Sequence, residues 1–467
     1  MILFISYIHM AVRYMDIPAY KQIFTISKEQ KSEYGEIFTP FSLINSMFSM
    51  LPSEVFSNPD FKWLDPGAGT GYFSMYLFHK LNIGLKNVLP NEQKRHKHIL
   101  KNMIYMVEIQ GINIEILQKL FGENANIIHG DFIQIKFELS FDFIIGNPPY
   151  NAKGLKKVPT KKGNKKMDGQ TIWISFIKRS ISLLKQSGNL LMIVPSLWMK
   201  PDKAKMYNFL MEFNLKKIRC FNNTESNKLF TGEAQTPTCY FWMIKEQKNG
   251  FIHLFDKDRE IFVQYPLKMD DPIPVFGQTI VKKFKNFVNA YGHLKVIKTN
   301  LPLKGHHFSA EKDTEHPYVN IHTTILDKLQ PKLVFKYSST PQMHHGECKL
   351  VLSHKMYGFP FLDSEGIYGI SNRDNYVFNN RPIEELEMIE EFLSTKTALY
   401  LFEATRYRMK YLEKYAFQLI PDIPKLVGLS RPITDEVIVT YFGLDNMDKE
   451  NIMHLHKKEY QFSPINP

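Results

Sequence analysis

Four residues, Asn147-Pro148-Pro149-Tyr150, concentrate polar, rigid and aromatic groups at the end of an apolar run. The run, 141–145, reads as a buried strand, and Gly146 separates it from the tetrapeptide. Proline fixes φ and lacks an N–H, so the neighbouring carbonyl oxygens stay aimed. The Asn147 side-chain oxygen and the Pro148 carbonyl can then accept both hydrogens of one NH2 group. Tyr150 supplies a flat face for an aromatic ring. An amino nitrogen on a nucleobase is a poor nucleophile because its lone pair is delocalised into the ring. Two acceptors favour a pyramidal nitrogen and offset the positive charge that builds there during attack, which is stabilisation concentrated in the transition state. No Pro-Cys pair occurs in the chain, which argues against covalent attack at carbon 5 of cytosine. The plain structural alternative is a proline-rich turn after a strand.

A second constellation lies upstream. "WLDPGAGTGYF" (63–73) places Asp65 at a strand end, then Gly67, Gly69 and Gly71, then a helix from about Tyr72. Glycines there let backbone N–H groups approach a ligand at a helix N-terminus. The next strand ends in Glu108, a carboxylate suited to both hydroxyls of a ribose, although the basic insertion 82–102 lengthens the interval beyond the compact pattern. A third strand ends "HGDF", where Asp131 can accept from an adenine amino group and Phe132 can cover the ring. A surface turn would explain Asp131 equally well. Before all of these, Thr39 suits an N-cap and Pro40 a first helical position, with Ile44, Met47, Phe48 and Leu51 as the apolar stripe.

These groups need a scaffold. Strand patterns at 62–65, 103–109, 126–130, 141–146, 189–195, 215–221 and 238–244 alternate with helical ones such as 171–186, which Gly188 would close. That alternation predicts an α/β doubly wound, mostly parallel sheet, with ligands at the carboxyl ends of its strands. We expect an N-terminal extension over 1–30, the sheet domain over 31–250 and a proline-rich linker over 251–275. A loop-rich α+β domain over 276–420, closed by a helical stretch at 383–414, precedes a C-terminal tail over 421–467. A chain of 467 residues is long enough for two or more such cores. Its formal net charge of +12 favours a polyanionic partner. The lysines that follow the tetrapeptide, Lys153, Lys156, Lys157, Lys161 and Lys162, are placed to meet phosphates and would make binding salt-sensitive. Cys220, Cys239 and Cys348 form no disulfide framework or CxxC pair, which suits a reducing, cytoplasmic setting. The apolar opening 1–12 is too short to span a bilayer and lacks the features of a signal peptide, so no membrane partner is expected. His306, His307, His316, His344, His345 and Cys348 follow no zinc spacing, and no metal is expected.

Together, "GEIFTP" (35–40), "DPGAGTG" (65–71), "VE" (107–108), "HGDF" (129–132) and "NPPY" (147–150) resemble the gamma-class DNA adenine-N6 methyltransferases of restriction–modification systems, over roughly residues 30–245. The resemblance implies a Rossmann-like sheet whose last strand is antiparallel, a C-terminal target recognition domain, and S-adenosylmethionine as cofactor. Thr39, Asp65, Gly67, Gly69 and Gly71 would surround its methionine end, Glu108 its ribose, and Asp131 with Phe132 its adenine. Asn147, Pro148 and Tyr150 would hold an adenine flipped out of double-stranded DNA, with Phe230 as a second aromatic wall. Arg373, Asn372, Asn375 and Lys355 are available to read bases in the major groove. A separate cognate restriction endonuclease would be a natural partner. Other readings use the same chemistry on an RNA base or a glutamine amide, or make the chain an inactive DNA-binding specificity module. A bifunctional nuclease is disfavoured, because about thirty residues before the first motif are too few for a nuclease domain.

Overall fold

The computed structural model describes residues 38–152, 170–232, 236–300, 307–327, 330–354, 358–407 and 411–455. The chain divides into two compact units, residues 1–198 with 202–254, and residues 199–201 with 255–467.

In the first unit, short apolar segments form β1 (Trp63–Asp65), β2 (Ile104–Glu108), β3 (Asn126–His129) and β4 (Phe141–Gly146). A two-residue ladder, β5 (Asn151–Ala152) with β6 (Gln170–Thr171), follows the tetrapeptide. Then come β7 (Leu184–Pro195), β8 (Phe213–Phe221), β9 (Thr238–Gln247) and β10 (Phe251–Asp256). These strands run in the order β10-β8-β9-β7-β4-β1-β2-β3 within a nine-stranded sheet. Every pairing is parallel except those of β9, which runs against both β7 and β8. This is the mostly parallel α/β sheet with a reversed late strand that the sequence predicts. The central strands are apolar on both faces because helices cover both, and Trp63 stacks on Phe143 across the β1–β4 pair at 3.9 Å.

The strand order turns at β1. β2 and β3 extend to one side of it, while β4, which follows β3 in the chain, lies on the other. Such a reversal opens a crevice at the carboxyl ends of the two strands beside it. The glycine loop leaves β1 there and the tetrapeptide leaves β4, so the topology itself brings the two motifs together.

Two local expectations need correction. The helix expected at 171–186 spans Trp173–Leu183, and β7 begins at once with Leu184 paired to Phe141. Register then jumps to Phe143 opposite Asn189, so 185–188 bulge out of the ladder, and Gly188 belongs to that bulge rather than to a helix cap. The stretch 251–275, expected as a linker, contains two strands, β10 and β11 (Ile261–Pro266).

The second unit is the α+β body. A hairpin, β13 (Tyr318–Asp327) with β14 (Gln330–Ser338), carries β17 (Gly369–Ile370) parallel to β13. A second sheet orders β12 (Ile297–Lys298), β18 (Asn375–Phe378), β15 (Lys349–Ser353) and β16 (Pro360–Asp363). Within this core the Lys349 ammonium and the Asp363 carboxylate pair at 2.5 Å. The helical stretch expected at 383–414 is two helices, Ile383–Leu393 and Lys396–Glu403. The final stretch folds as helices Asp435–Tyr441 and Asn446–Met453, tied back by Arg259, which reaches Asp445 at 2.6 Å and Asp448 at 2.7 Å. No helix among the described residues is long and apolar enough to cross a membrane.

Candidate active site

The glycine loop is held from three directions. Its first anchor is Asp65, 2% exposed, whose Oδ2 accepts from the Ser74 hydroxyl at 3.0 Å in the first turn of the following helix, Tyr72–Gly84. The other oxygen, Oδ1, is buried without a protein partner. Burial pushes the Asp65 carboxyl up from its ordinary 3.8 to about 7, with Ser74 and the Gly67 N–H pulling it down and Glu108 adding repulsion. From β4, Gly146 closes over the same carboxyl. Its φ is +151°, and a Cβ there would stand 3.2 Å from Asp65 Oδ1.

The second anchor is Glu108 at the end of β2. Its Oε2 accepts from the Gly69 N–H at 2.8 Å, and Oε1 accepts from Ile109 and Gln110 at 2.9 and 2.8 Å. A carboxylate has about four acceptor positions, so Glu108 acts here chiefly as a staple between the loop and β2. The third is the packing of Gly71, with φ +92° and the apolar side chains of Leu117, Leu120 and Phe121 behind it. A Cβ would lie 2.8 Å from Leu117 Cδ2 and 3.1 Å from Phe121 Cε2. Gly67 differs, since a Cβ there would meet only Phe176 and Pro149, both at 3.8 Å. It faces the gap between the loop and the tetrapeptide.

Asp131 turns one oxygen to its own loop, accepting from the Ile133 N–H at 2.9 Å, as aspartates in turns commonly do. Phe132 is buried against Phe176, with ring centroids 5.2 Å apart. The expected open ring face is therefore covered by protein, and Asp131 is the accessible member of the pair.

On the β4 side, Asn147 donates through Nδ2 to Thr39 Oγ1 at 3.0 Å. Its Oδ1 is buried and has no protein partner. Tyr150 is 7% exposed, and its hydroxyl is likewise buried without one. Burial, with a smaller contribution from Cys239, pushes that phenol well above its ordinary range. Thr39 is not the N-cap the sequence suggests. The helix Phe41–Phe48 is capped by Pro40 with no side-chain cap bond, which leaves the Thr39 hydroxyl for Asn147.

Other expectations fare differently. Phe230 is 2% exposed and packs in the main apolar cluster with Tyr240 and Trp242, so it presents no ring to a base. Its aromatic character reads as core because it directly follows a short helix, Asn223–Leu229, that docks on the sheet. The lysines Lys153, Lys156, Lys157, Lys161 and Lys162 fall between β5 and β6 and lie outside the described residues, as do His306 and Lys355. Asn372 and Asn375 are engaged internally. Both donate to the His322 carbonyl, at 2.8 and 3.2 Å, and Asn375 also donates to Asn372 Oδ1 at 2.9 Å. Arg373 between them is exposed. His344 pairs with Glu347 and His316 with Asp313, and among the described residues no three His, Cys, Asp or Glu side chains gather to hold a metal.

Sequence reasoning missed Ser74 and Gly146. Both had a signal: Ser74 lies one turn into the helix after the glycine loop, and Gly146 stands between an apolar strand and a rigid turn.

Residues 63–230 match the family model described as Eco57I restriction-modification methylase. Over 193 residues the chain is 29% identical to modification methylase CviBIII of Paramecium bursaria Chlorella virus NC1A, covering 39% of this chain and 44% of that protein. It is 38% identical over 158 residues to type II methyltransferase M.PaeR7I of Pseudomonas aeruginosa, covering 29% and 27%. A 75-residue stretch is 37% identical to an uncharacterized adenine-specific methylase of Mycoplasma pneumoniae, covering 15% and 18%. The aligned stretches thus span less than half the length of each relative.

Proposed function

We propose that this chain is an S-adenosylmethionine-dependent DNA methyltransferase that modifies N6 of an adenine turned out of duplex DNA, within a restriction–modification system. One observation carries the reading. Asn147 Oδ1, on a proline-stiffened turn at the switch point of the sheet, is buried without a protein partner, a few residues from the buried Tyr150 ring. A buried acceptor left unpaired costs about 1–3 kcal/mol. An amino group satisfies it, and the match to methylases named for modification and for adenine agrees with that ligand.

The residues across the crevice fit the cofactor. The Asp65 carboxyl keeps one oxygen unpaired, and a Cβ at Gly67 would touch Phe176 and Pro149 only at 3.8 Å. Glu108 and Asp131 stand at the ends of the two strands beyond. When bound there, the cofactor supplies a methyl group on a positively charged sulfur. The chain's own residues prepare the acceptor. Asn147 Oδ1 and the Pro148 carbonyl accept hydrogen bonds from the amino group, orient the nitrogen and offset the charge that it gains. Tyr150 holds the ring by its face, and the surplus proton leaves to water. The lysines between β5 and β6 would contact phosphates, and a separate nuclease would cut unmodified sites in the same cytoplasm.

The test is transfer of labelled methyl from S-adenosylmethionine to unmethylated duplex DNA, with nucleosides identified after hydrolysis. N6-methyladenine is expected, and Asn147→Ala should lower its rate by about 10²–10³-fold. Label found only in RNA or in a glutamine-containing protein would replace the substrate. Bound cofactor with no transfer to any of these would make the chain a specificity module.

A further inference from the structure

We propose that Thr39 is the positioning residue of the amino-acceptor site, setting the Asn147 carboxamide so that its oxygen meets the substrate amine. The proposal rests on the methyltransferase reading and deepens it, and it departs from the role at the cofactor that the sequence resemblance suggests for Thr39.

Three features place Thr39 in that role. Its hydroxyl lies 3.0 Å from Asn147 Nδ2, across 108 residues of chain, and the residue is 5% exposed. Helix capping does not use it, since Pro40 occupies the N-cap position without a side-chain bond. Its backbone is also firmly seated. Phe38 and Phe41, on either side, pack on Tyr72 with centroids 4.4 and 4.5 Å away, at the start of the helix after the glycine loop. One turn on, the Tyr76 hydroxyl donates to Asn45 of the helix that Thr39 precedes. The hydroxyl is thus fixed to the same helix that closes the glycine loop.

A carboxamide needs such a partner. Its oxygen and nitrogen ends are nearly equal in shape, and rotation about the side chain exchanges an acceptor for a donor. An amine-binding site works only with the oxygen forward. Thr39 holds the amide plane and accepts the NH2 end, leaving Oδ1 forward. A hydroxyl can accept from the amide nitrogen or donate to the amide oxygen; here it accepts from Nδ2, and Oδ1 stays buried and unpaired. Valine keeps the shape of threonine and removes the bond, whereas serine keeps the bond.

The experiment compares wild type, Thr39→Val and Thr39→Ser, each checked for native tryptophan fluorescence. Single-turnover methyl transfer to adenine-unmethylated plasmid DNA is measured beside calorimetric binding of S-adenosylmethionine. Thr39→Val is expected to slow transfer at saturating cofactor by about 10–100-fold while cofactor affinity stays within about threefold, and Thr39→Ser to recover most of the rate. A Val variant with weakened cofactor binding and an unchanged saturating rate would overturn the proposal, as would one unchanged in both. A third readout does not depend on turnover. In protein labelled with 15N-asparagine, the Asn147 side-chain amide signal is identified by its loss in Asn147→Ala. It should be exchange-protected in wild type and Thr39→Ser and lose that protection in Thr39→Val. Protection kept in Thr39→Val would overturn the proposal. Failure of wild type to methylate DNA would sink the proposed function alone, and the amide signal would still decide the role of Thr39.

Discussion

Replacing Asp65 by asparagine should stabilise the first unit at neutral and alkaline pH and leave it nearly unchanged in acid. The carboxyl is 2% exposed, and burial raises it from 3.8 to about 7 despite the Ser74 hydroxyl. Between those values the folded state holds a proton that the unfolded chain has lost, so stability falls as pH rises. The contribution is complete below pH 3.8 and lost as pH passes through about 7. At 1.36 kcal/mol per pH unit, the loss totals roughly 4 kcal/mol, an upper bound for a group that the fold can relax around. Asparagine cannot ionise and still accepts from Ser74, so it escapes the loss. The gap between variant and wild type should widen by roughly 2.5 kcal/mol from pH 5 to pH 8. Urea unfolding followed by tryptophan fluorescence is the assay, because Trp63, Trp173, Trp198 and Trp242, all four in the chain, belong to the first unit. Comparing the two proteins at each pH cancels the titration of every other group. A gap that stays constant, or narrows toward pH 8, would refute the argument and mean that water reaches Asp65. The same variant should bind S-adenosylmethionine more weakly, since it removes the charge that the site keeps at a cost in stability.

Gly71→Ala should destabilise the same unit by about 2–4 kcal/mol, from a left-handed backbone and a Cβ 2.8 Å from Leu117. Gly122→Ala isolates backbone strain, with φ +84°, ψ 155° and nothing within 4 Å of a Cβ, and should cost about 1–3 kcal/mol in the same urea titration. In the second unit, Lys349→Met strands the buried Asp363 carboxylate and should cost about 3–5 kcal/mol by calorimetry without moving the tryptophan transition. Adding Asp363→Leu should restore part of it.

The parts of the site that the sequence made legible are those whose physics is local. "DPGAGTG" and "NPPY" announce turns through residues that only special backbone geometry needs, and apolar runs on either side fix them to strand ends. The α/β class followed from the alternation of runs, and the reversed β9 from the family resemblance. What failed was set by packing at a distance. Phe132 and Phe230 look like any aromatic residue after a strand or short helix, and nothing local says whether a ring ends in a core or at a surface. Asn372 and Asn375 looked free to read bases, yet a carbonyl on β13, His322, claims both. Thr39 is not the N-cap that a Thr-Pro pair favours, and the partner of its hydroxyl, Asn147, lies far along the chain.

The contact between Thr39 and Asn147 joins two distant parts of the chain at one end of the sheet. A rigid Asn-Pro-Pro turn aims backbone carbonyls, but it leaves the asparagine amide free to rotate, so the turn alone makes an acceptor only part of the time. The topology supplies the remainder. Because β4 returns beside β1 after β2 and β3 have been laid on its other side, the turn comes to rest against the segment that leads into Phe41–Phe48, the helix packed on the one after the glycine loop. The hydroxyl of that segment then fixes the amide. Asp65, at the end of β1, keeps one buried oxygen unpaired against Gly146 of β4. Both side chains therefore keep a buried acceptor unsatisfied at one end of the sheet, and each is oriented by an oxygen contributed by a neighbouring helix or helix entry, Ser74 for one and Thr39 for the other. An acceptor held in that way is ready for a donor before the donor arrives, which is the condition under which hydrogen bonds lower a barrier rather than merely tighten binding.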